Sequence, residues 1–254
     1  MPTGGRRGRF ALGPGPWIAG HRGAAPELEN TLPAFAAALA AGADFVELDV
    51  QLTADGELVV FHDVDLGRLA GRPRLRIERS TAAELRATEL VDPRSGARGR
   101  MPTLVQVFAA LPAGFPLNVE LKRERADREA LLAALAPHLA RPNLLLSSFD
   151  LDLLGRLRQR APDAALAVLG ERLDPQLAAA AAELEAWSVH VGEPALEALR
   201  RVPTSRPVIA FTVDDAERAR ALFAAGVAGV FSDRPGPLRE SLDRAGGRVG
   251  IPRP

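Results

Sequence analysis

Gly42-Ala43-Asp44-Phe45-Val46-Glu47-Leu48-Asp49-Val50-Gln51-Leu52-Thr53-Ala54-Asp55-Gly56-Glu57-Leu58-Val59-Val60-Phe61-His62-Asp63 sets two apolar runs on either side of a turn signal. Residues 45–50 form a short, β-branched apolar run that predicts a strand. Thr53-Ala54-Asp55-Gly56 predicts a tight turn. Residues 58–61 then predict a second strand that folds back on the first. Strand side chains alternate faces, so Val46, Leu48 and Val50 share one side and Glu47 and Asp49 the other.

Further strands are predicted at 17–20, 116–121, 144–147, 165–169, 186–190, 208–213 and 227–231. Helical patterns separate them at 32–41, 104–111, 125–139, 151–160, 175–184, 193–201, 216–225 and 238–244. Thr103, Asp150 and either Asp214 or Asp215 suit N-caps. Gly42 and Gly226 stand where left-handed residues end helices. Repeated strand–helix alternation argues for a parallel sheet covered by helices. Nine strands are one too many for a closed barrel. Setting 58–61 aside as an accessory strand after the second barrel strand leaves eight, and the expectation is a (β/α)₈ TIM barrel. A doubly wound open sheet is the runner-up, weakened by the lack of a glycine-rich fingerprint after the first strand. Residues 64–101 are broken by glycines and prolines, with a short helix within 81–89. They are long for a barrel loop and are expected to cover part of a site.

The 254 residues fit a single barrel spanning 17–247, with a flexible N-terminal tail at 1–16 and a short C-terminal tail at 248–254. The 32 basic and 32 acidic residues cancel, which argues against a general nucleic-acid binder. There is no cysteine, so disulfides, thiolate nucleophiles and sulfur-ligated metals are excluded. Residues 1–17 carry Arg6, Arg7 and Arg9 but no apolar run of signal-peptide length. No membrane span is expected, and the default location is the cytoplasm. The sequence carries no information on oligomeric state. Every basic residue is arginine except Lys122.

Glu47 and Asp49 share the inward face of one strand, and Glu120 shares a face with Lys122 on another. Such carboxylates are costly in an apolar barrel without counter-charge. They could form a buried ion network with Lys122 and Arg22. They could equally hold a hard divalent cation, because three carboxylates exceed one lysine. His21 and His62 each follow a strand, where histidines can exchange protons near neutral pH. Arg22 could hold a phosphoryl oxygen. His138 reads as helix surface, and His190 is ambiguous; neither is a first choice for catalysis.

Taken together, these residues resemble the glycerophosphodiester phosphodiesterases. The resemblance is carried by His21-Arg22-Gly23, Pro26-Glu27-Leu28-Glu29-Asn30-Thr31, Phe35, Ala38 and the opening stretch through His62-Asp63. It continues in Asn118-Val119-Glu120-Leu121-Lys122, Ser147-Ser148-Phe149, Ala210-Phe211-Thr212-Val213-Asp214 and Gly229-Val230-Phe231-Ser232-Asp233-Arg234-Pro235. These blocks span about residues 17–240. The resemblance implies a TIM barrel that hydrolyses a small-molecule glycerophosphodiester to glycerol 3-phosphate and an alcohol. It implies that Glu47, Asp49 and Glu120 bind one divalent cation, Mg²⁺ or Ca²⁺. It implies His21 and His62 as the acid–base pair, with Arg22 and Lys122 on the phosphate. Phe211 stands where the family usually has tryptophan, which puts the substrate-shaping contacts at issue. Asp214 replaces the usual asparagine and is expected to cap a helix. The arginine-threonine stretch after His62-Asp63 is poorly kept around Arg68-Leu69-Ala70-Gly71. The loop after His62 is too short for the large inserted domain of some relatives. Alternatives are a phosphodiesterase of lysophospholipid-like substrates, a non-catalytic barrel for phosphorylated ligands, or a barrel isomerase on fold alone.

Overall fold

A computed structural model describes residues 10–122, 127–192 and 196–245. The strands run in chain order as β1 (Trp17–Gly20), β2 (Phe45–Leu52), β3 (Leu58–Val60), β4 (Asp65–Leu66), β5 (Arg72–Arg76), β6 (Leu90–Val91) and β7 (Arg98–Gly99). There follow β8 (Leu117–Leu121), β9 (Leu144–Ser148), β10 (Ala165–Gly170), β11 (Ser188–Gly192), β12 (Val208–Phe211) and β13 (Gly229–Ser232). The parallel order β1-β13-β12-β11-β10-β9-β8-β2 closes on itself through β1 and β2. This is the expected (β/α)₈ barrel. β3 lies outside the ring, antiparallel to β2, with Val50 opposite Val60 and Leu52 opposite Leu58.

The alternation in β2 sorts the layers as anticipated. Val46, Leu48 and Val50 are fully buried in the cluster between strands and helices, with Phe35, Leu104 and Leu153. Each such buried aliphatic contributes about 1.5–3 kcal/mol. Phe45, Ala19, Leu145, Ala167, Ile209 and Phe231 fill the barrel interior. Phe10 joins them, 4% exposed, edge-on to Phe45 and Trp187. It plugs the barrel end away from the strand termini. Of the residues read as a tail, Phe10 is thus packed; 1–9 and 248–254 lie outside the described residues.

Helix boundaries follow the capping chemistry. Thr31, Thr103, Asp150, Asp174 and Asp215 each accept a backbone N–H at a helix start. Gly42 and Gly226 have φ of 73° and 95°. Residues 125 and 193, where two helices are expected to begin, lie outside the described residues; the helices are described over Arg128–Leu135, with Asp127 as N-cap, and Leu196–Arg201. One expectation is corrected: the cap of helix Ala216–Ala224 is Asp215, not Asp214. Asp214 instead accepts the Ser232 hydroxyl at 2.6 Å and the Asp233 N–H at 2.9 Å.

Residues 64–101 have more order than their glycines and prolines suggest. Two β ribbons, β4–β5 and β6–β7, and the helices Gly67–Ala70 and Ala82–Ala87 enclose a second core. It comprises Leu28, Val59, Phe61, Leu66, Leu69, Ile77, Ala82, Leu85, Leu90 and Met101. This core fastens the segment to β3 and to the loop after β1. No helix among the described residues is long and apolar enough to cross a membrane.

Candidate active site

The C-terminal ends of the barrel strands surround a cavity of about 260 Å³. His21, Arg22, Glu47, His62, Glu120, Lys122 and Phe211 all line it. Asp49 lies beside them, joined by ion pairs to Arg22 and Lys122. The structure therefore brings every site residue expected from the sequence to one place.

β2 and β8 supply the acidic floor. Their register sets Glu47 opposite Asn118 and Asp49 opposite Glu120. One carboxylate oxygen from each of Glu47, Asp49 and Glu120 lies within 4.8 Å of the others. Burial, reinforced by Asp49 and Glu120, pushes the Glu47 carboxyl well above the usual carboxylate range. Burial and Asp49 likewise raise Glu120, against the pull of Lys122. Burial also acts upward on Asp49, but Arg22, Lys122, His62 and the Asn30 amide outweigh it and hold Asp49 low.

The cations divide these charges unequally. Lys122 Nζ sits 2.8 Å from Glu120 Oε1 and 3.4 Å from Asp49 Oδ1. Arg22 Nε lies 3.2 Å from Asp49 Oδ2, while its NH1 reaches Glu29 Oε1 at 3.2 Å. Glu47 receives the Arg22 backbone N–H at 2.9 Å and no side-chain cation among the described residues. An ion network alone therefore leaves one buried carboxylate unbalanced. Asp49 Oδ1 also lacks a hydrogen bond. Three converging oxygens with surplus negative charge fit a hard divalent cation.

The turn after β1 is built for close approach. Arg22 adopts a left-handed φ of 54° and Gly23 a φ of 100°. A methyl group on Gly23 would meet the Ala34 backbone at 2.6 Å, so glycine is required. The turn is closed by the Asn30 N–H, which donates to Arg22 O at 2.8 Å. Asn30 also donates its amide to Asp49 Oδ2 at 2.8 Å and accepts the Asp49 N–H at 3.2 Å.

Both histidines have carboxylate partners. His21 Nδ1 donates to Asp233 Oδ1 at 2.7 Å, and His62 Nδ1 donates to Asp63 Oδ1 at 2.8 Å. A carboxylate at Nδ1 fixes the tautomer and leaves Nε2 with its lone pair. Gln51 continues the inward face of β2, and its amide donates to Phe61 O and Asp63 O at 2.7 and 2.8 Å. That holds the His62 loop against the barrel rim.

Several of these partners were not singled out in the sequence: Asp63, Asp233, Glu29, Asn30 and Gln51. Most of them lay inside the matched blocks, beside the residues they serve. His190, ambiguous in the sequence, is a different case. It lines the cavity fully buried, bonded to the Ser188 hydroxyl at 2.8 Å, and shares the inward face of β11 with it. The same two-residue spacing that marked Glu47 and Asp49 would have marked this pair. Phe149 and Phe211 meet edge-to-face at 6.2 Å on the cavity wall, and Phe149 is one of two large exposed apolar residues described.

Fold and site together define a (β/α)₈ barrel enzyme with acids, bases and cations gathered at its C-terminal mouth. Comparison with known proteins gives the class its family. The model of the glycerophosphoryl diester phosphodiesterase family matches residues 20–237. A glycerophosphodiester phosphodiesterase of Caldanaerobacter subterraneus is 29% identical over 91% of this chain and 98% of its own. A glycerophosphodiester phosphodiesterase structure from Thermotoga maritima shares 32% identity, covering 88% of this chain and 97% of that one, with a TM-score of 0.70. An Oleispira antarctica phosphodiesterase, solved with the product sn-glycerol-3-phosphate, shares 26% identity over 89% of this chain and 96% of its own, with a TM-score of 0.80. The chain belongs to the glycerophosphoryl diester phosphodiesterase family.

Proposed function

We propose that this chain hydrolyses glycerophosphodiesters to glycerol 3-phosphate and an alcohol with the help of one divalent cation. The observation that carries the reading is a pair of carboxylate-bound histidines on one cavity with three converging carboxylates. Glu47, Asp49 and Glu120 would hold the cation, Mg²⁺ or Ca²⁺. When bound, it supplies polarisation of the phosphoryl oxygens.

The protein's own groups do the rest. Arg22 and Lys122 stay charged, because burial, which opposes their charge, is outweighed by Asp49 and the other acids around them. They bind the phosphoryl oxygens and stabilise charge that builds up there. His21 Nε2 takes the proton of the attacking hydroxyl as its oxygen bonds to phosphorus. His62, protonated, gives its proton to the departing alcohol oxygen as that P–O bond breaks. The attacking hydroxyl is the neighbouring glycerol hydroxyl, whose cyclic product water then opens, or water itself. The first step asks the same of the two histidines on both routes; opening the cyclic phosphate reverses them, with His62 taking the water proton as that oxygen bonds to phosphorus and His21 returning its proton to the glycerol oxygen as the ring P–O bond breaks. Phe211, with Phe149, shapes the mouth where the alcohol departs.

A panel of glycerophosphocholine, glycerophosphoethanolamine, glycerophosphoglycerol and a lysophospholipid tests the reading, each with Mg²⁺, Ca²⁺ or a chelator. Turnover of the glycerophosphodiesters, lost with chelator and restored by one metal, is expected. No turnover on any with metal present would overturn it in favour of a non-catalytic ligand-binding barrel. Turnover of the lysophospholipid alone would reassign the substrate.

A further inference from the structure

Arg68 lies on the inserted segment, in the short helix Gly67–Ala70, and its side chain is two-fifths exposed. It forms two forked contacts. Nε and NH2 donate to Asp63 Oδ2 and Oδ1 at 2.7 and 3.3 Å. NH1 and NH2 donate to Glu29 Oε2 and Oε1 at 3.0 and 2.7 Å. Among the described residues, each carboxylate has one further side-chain partner. Asp63 Oδ1 accepts from His62, and Glu29 Oε1 accepts from Arg22. Arg68 therefore stands between two residues that face the cavity without facing it itself.

An isolated surface ion pair would mean little. Here the planar guanidinium fixes both oxygens of both carboxylates, so it sets the plane of each. Asp63 is thereby held with Oδ1 aimed at His62 Nδ1. Glu29 is held by its ion pair with Arg68, which limits its competition with a phosphate for Arg22. The second core locks the frame. Leu28 adjoins Glu29, Phe61 adjoins His62-Asp63 and Leu69 adjoins Arg68, and all three leucine and phenylalanine side chains pack in that one cluster.

We infer that Arg68 is a positioning residue that orients the His62 imidazole and the Arg22 guanidinium as one unit. The inference rests on the roles proposed above for those two residues. It gives the inserted segment a task in the reaction beyond covering the barrel rim.

The test uses two esters of glycerol phosphate. Glycerophosphoethanolamine releases an alkoxide that needs a proton; the p-nitrophenyl ester releases a phenolate that does not. Arg68→Met keeps much of the stem and removes the fork. It should lower kcat on glycerophosphoethanolamine by about 10-fold or more, and on the aryl ester by less than about 3-fold. Glycerol 3-phosphate affinity, measured by titration calorimetry, should weaken by roughly 5-fold through Arg22. In a His62→Ala background, Arg68→Met should lower kcat on glycerophosphoethanolamine by less than about 2-fold, because the two act as a unit. Arg68→Lys keeps the charge without the fork and should fall between; it also serves if Arg68→Met melts early.

Equal losses on both esters, full additivity with His62→Ala, or wild-type kinetics would each overturn the inference. The His62→Ala reference separates the two levels. If it loses both esters equally, the acid role of His62 fails. The glycerol 3-phosphate titration then decides Arg68's remaining role toward Arg22, and unchanged affinity overturns that as well.

Discussion

Burial acts on Glu47 and His190 in chemically opposite ways and to one end, the neutral form. It raises the Glu47 carboxyl and pushes the His190 imidazole down to about 3. For Glu47 the burial suits the cation site proposed above; for His190 it is a cost of folding in acid. The unfolded histidine protonates near 6.5 and the folded one near 3, so between them the unfolded state binds more protons. The stability difference is therefore complete above the unfolded value and is lost as pH falls toward 3. Chemical denaturation of wild type and His190→Gln across that window should show the wild type losing up to about 1.4 kcal/mol more per pH unit. Parallel slopes would mean that His190 is solvated. Glu120→Gln addresses the acidic floor directly. It should move the midpoint of metal activation by about 10-fold or more, since one of three charges is removed at nearly constant shape. An unshifted midpoint would take Glu120 out of the ligand set. At this scale the sequence was informative wherever chemistry repeats at strand spacing, as in Glu47 and Asp49. It was silent where a partner comes from far away: Asp233 reaches His21 across 212 positions.

Strands and helices were legible because alternation and caps are local properties. Thr103, Asp150 and Asp215 do what their types allow. Asp214 shows the limit of that logic. Its type suits a cap, but the neighbouring aspartate takes that place, and Asp214 ties the end of β13 to the end of β12. The loop it holds begins with Asp233, the partner of His21. Asp214→Ala should therefore lower kcat by about 10-fold through misplacement of that partner. It should cost stability only about 1–2 kcal/mol for the lost acceptor. Steady-state kinetics and thermal melting measure the two separately; an unchanged kcat would show that the Asp233 loop holds its own shape. The segment 64–101 was the least legible element. Its order comes from a core shared between distant pieces, Leu28 to Met101, and no window of sequence displays such a core.

The barrel as a whole was readable once β3 was recognised as a hairpin return, because eight strands then remained to close a ring. What the count did not reveal was how the far end is sealed. Phe10 fills that position with Phe45, Trp17 and Trp187 around it. Phe10→Ala should lower stability by about 3 kcal/mol or more. The melting temperature should fall by on the order of 10 °C, while KM barely changes, since the plug is remote from the cavity. A variant melting like wild type would show that neighbouring rings refill the space. The plug also fixes where a handle should be attached. The chain enters at the end opposite the mouth, so a tether joined ahead of Phe10 pulls on the sealed base. Anchored to a bead or electrode by that end, the enzyme presents its mouth outward, whereas chemical coupling through its single lysine would attack Lys122 inside the cavity.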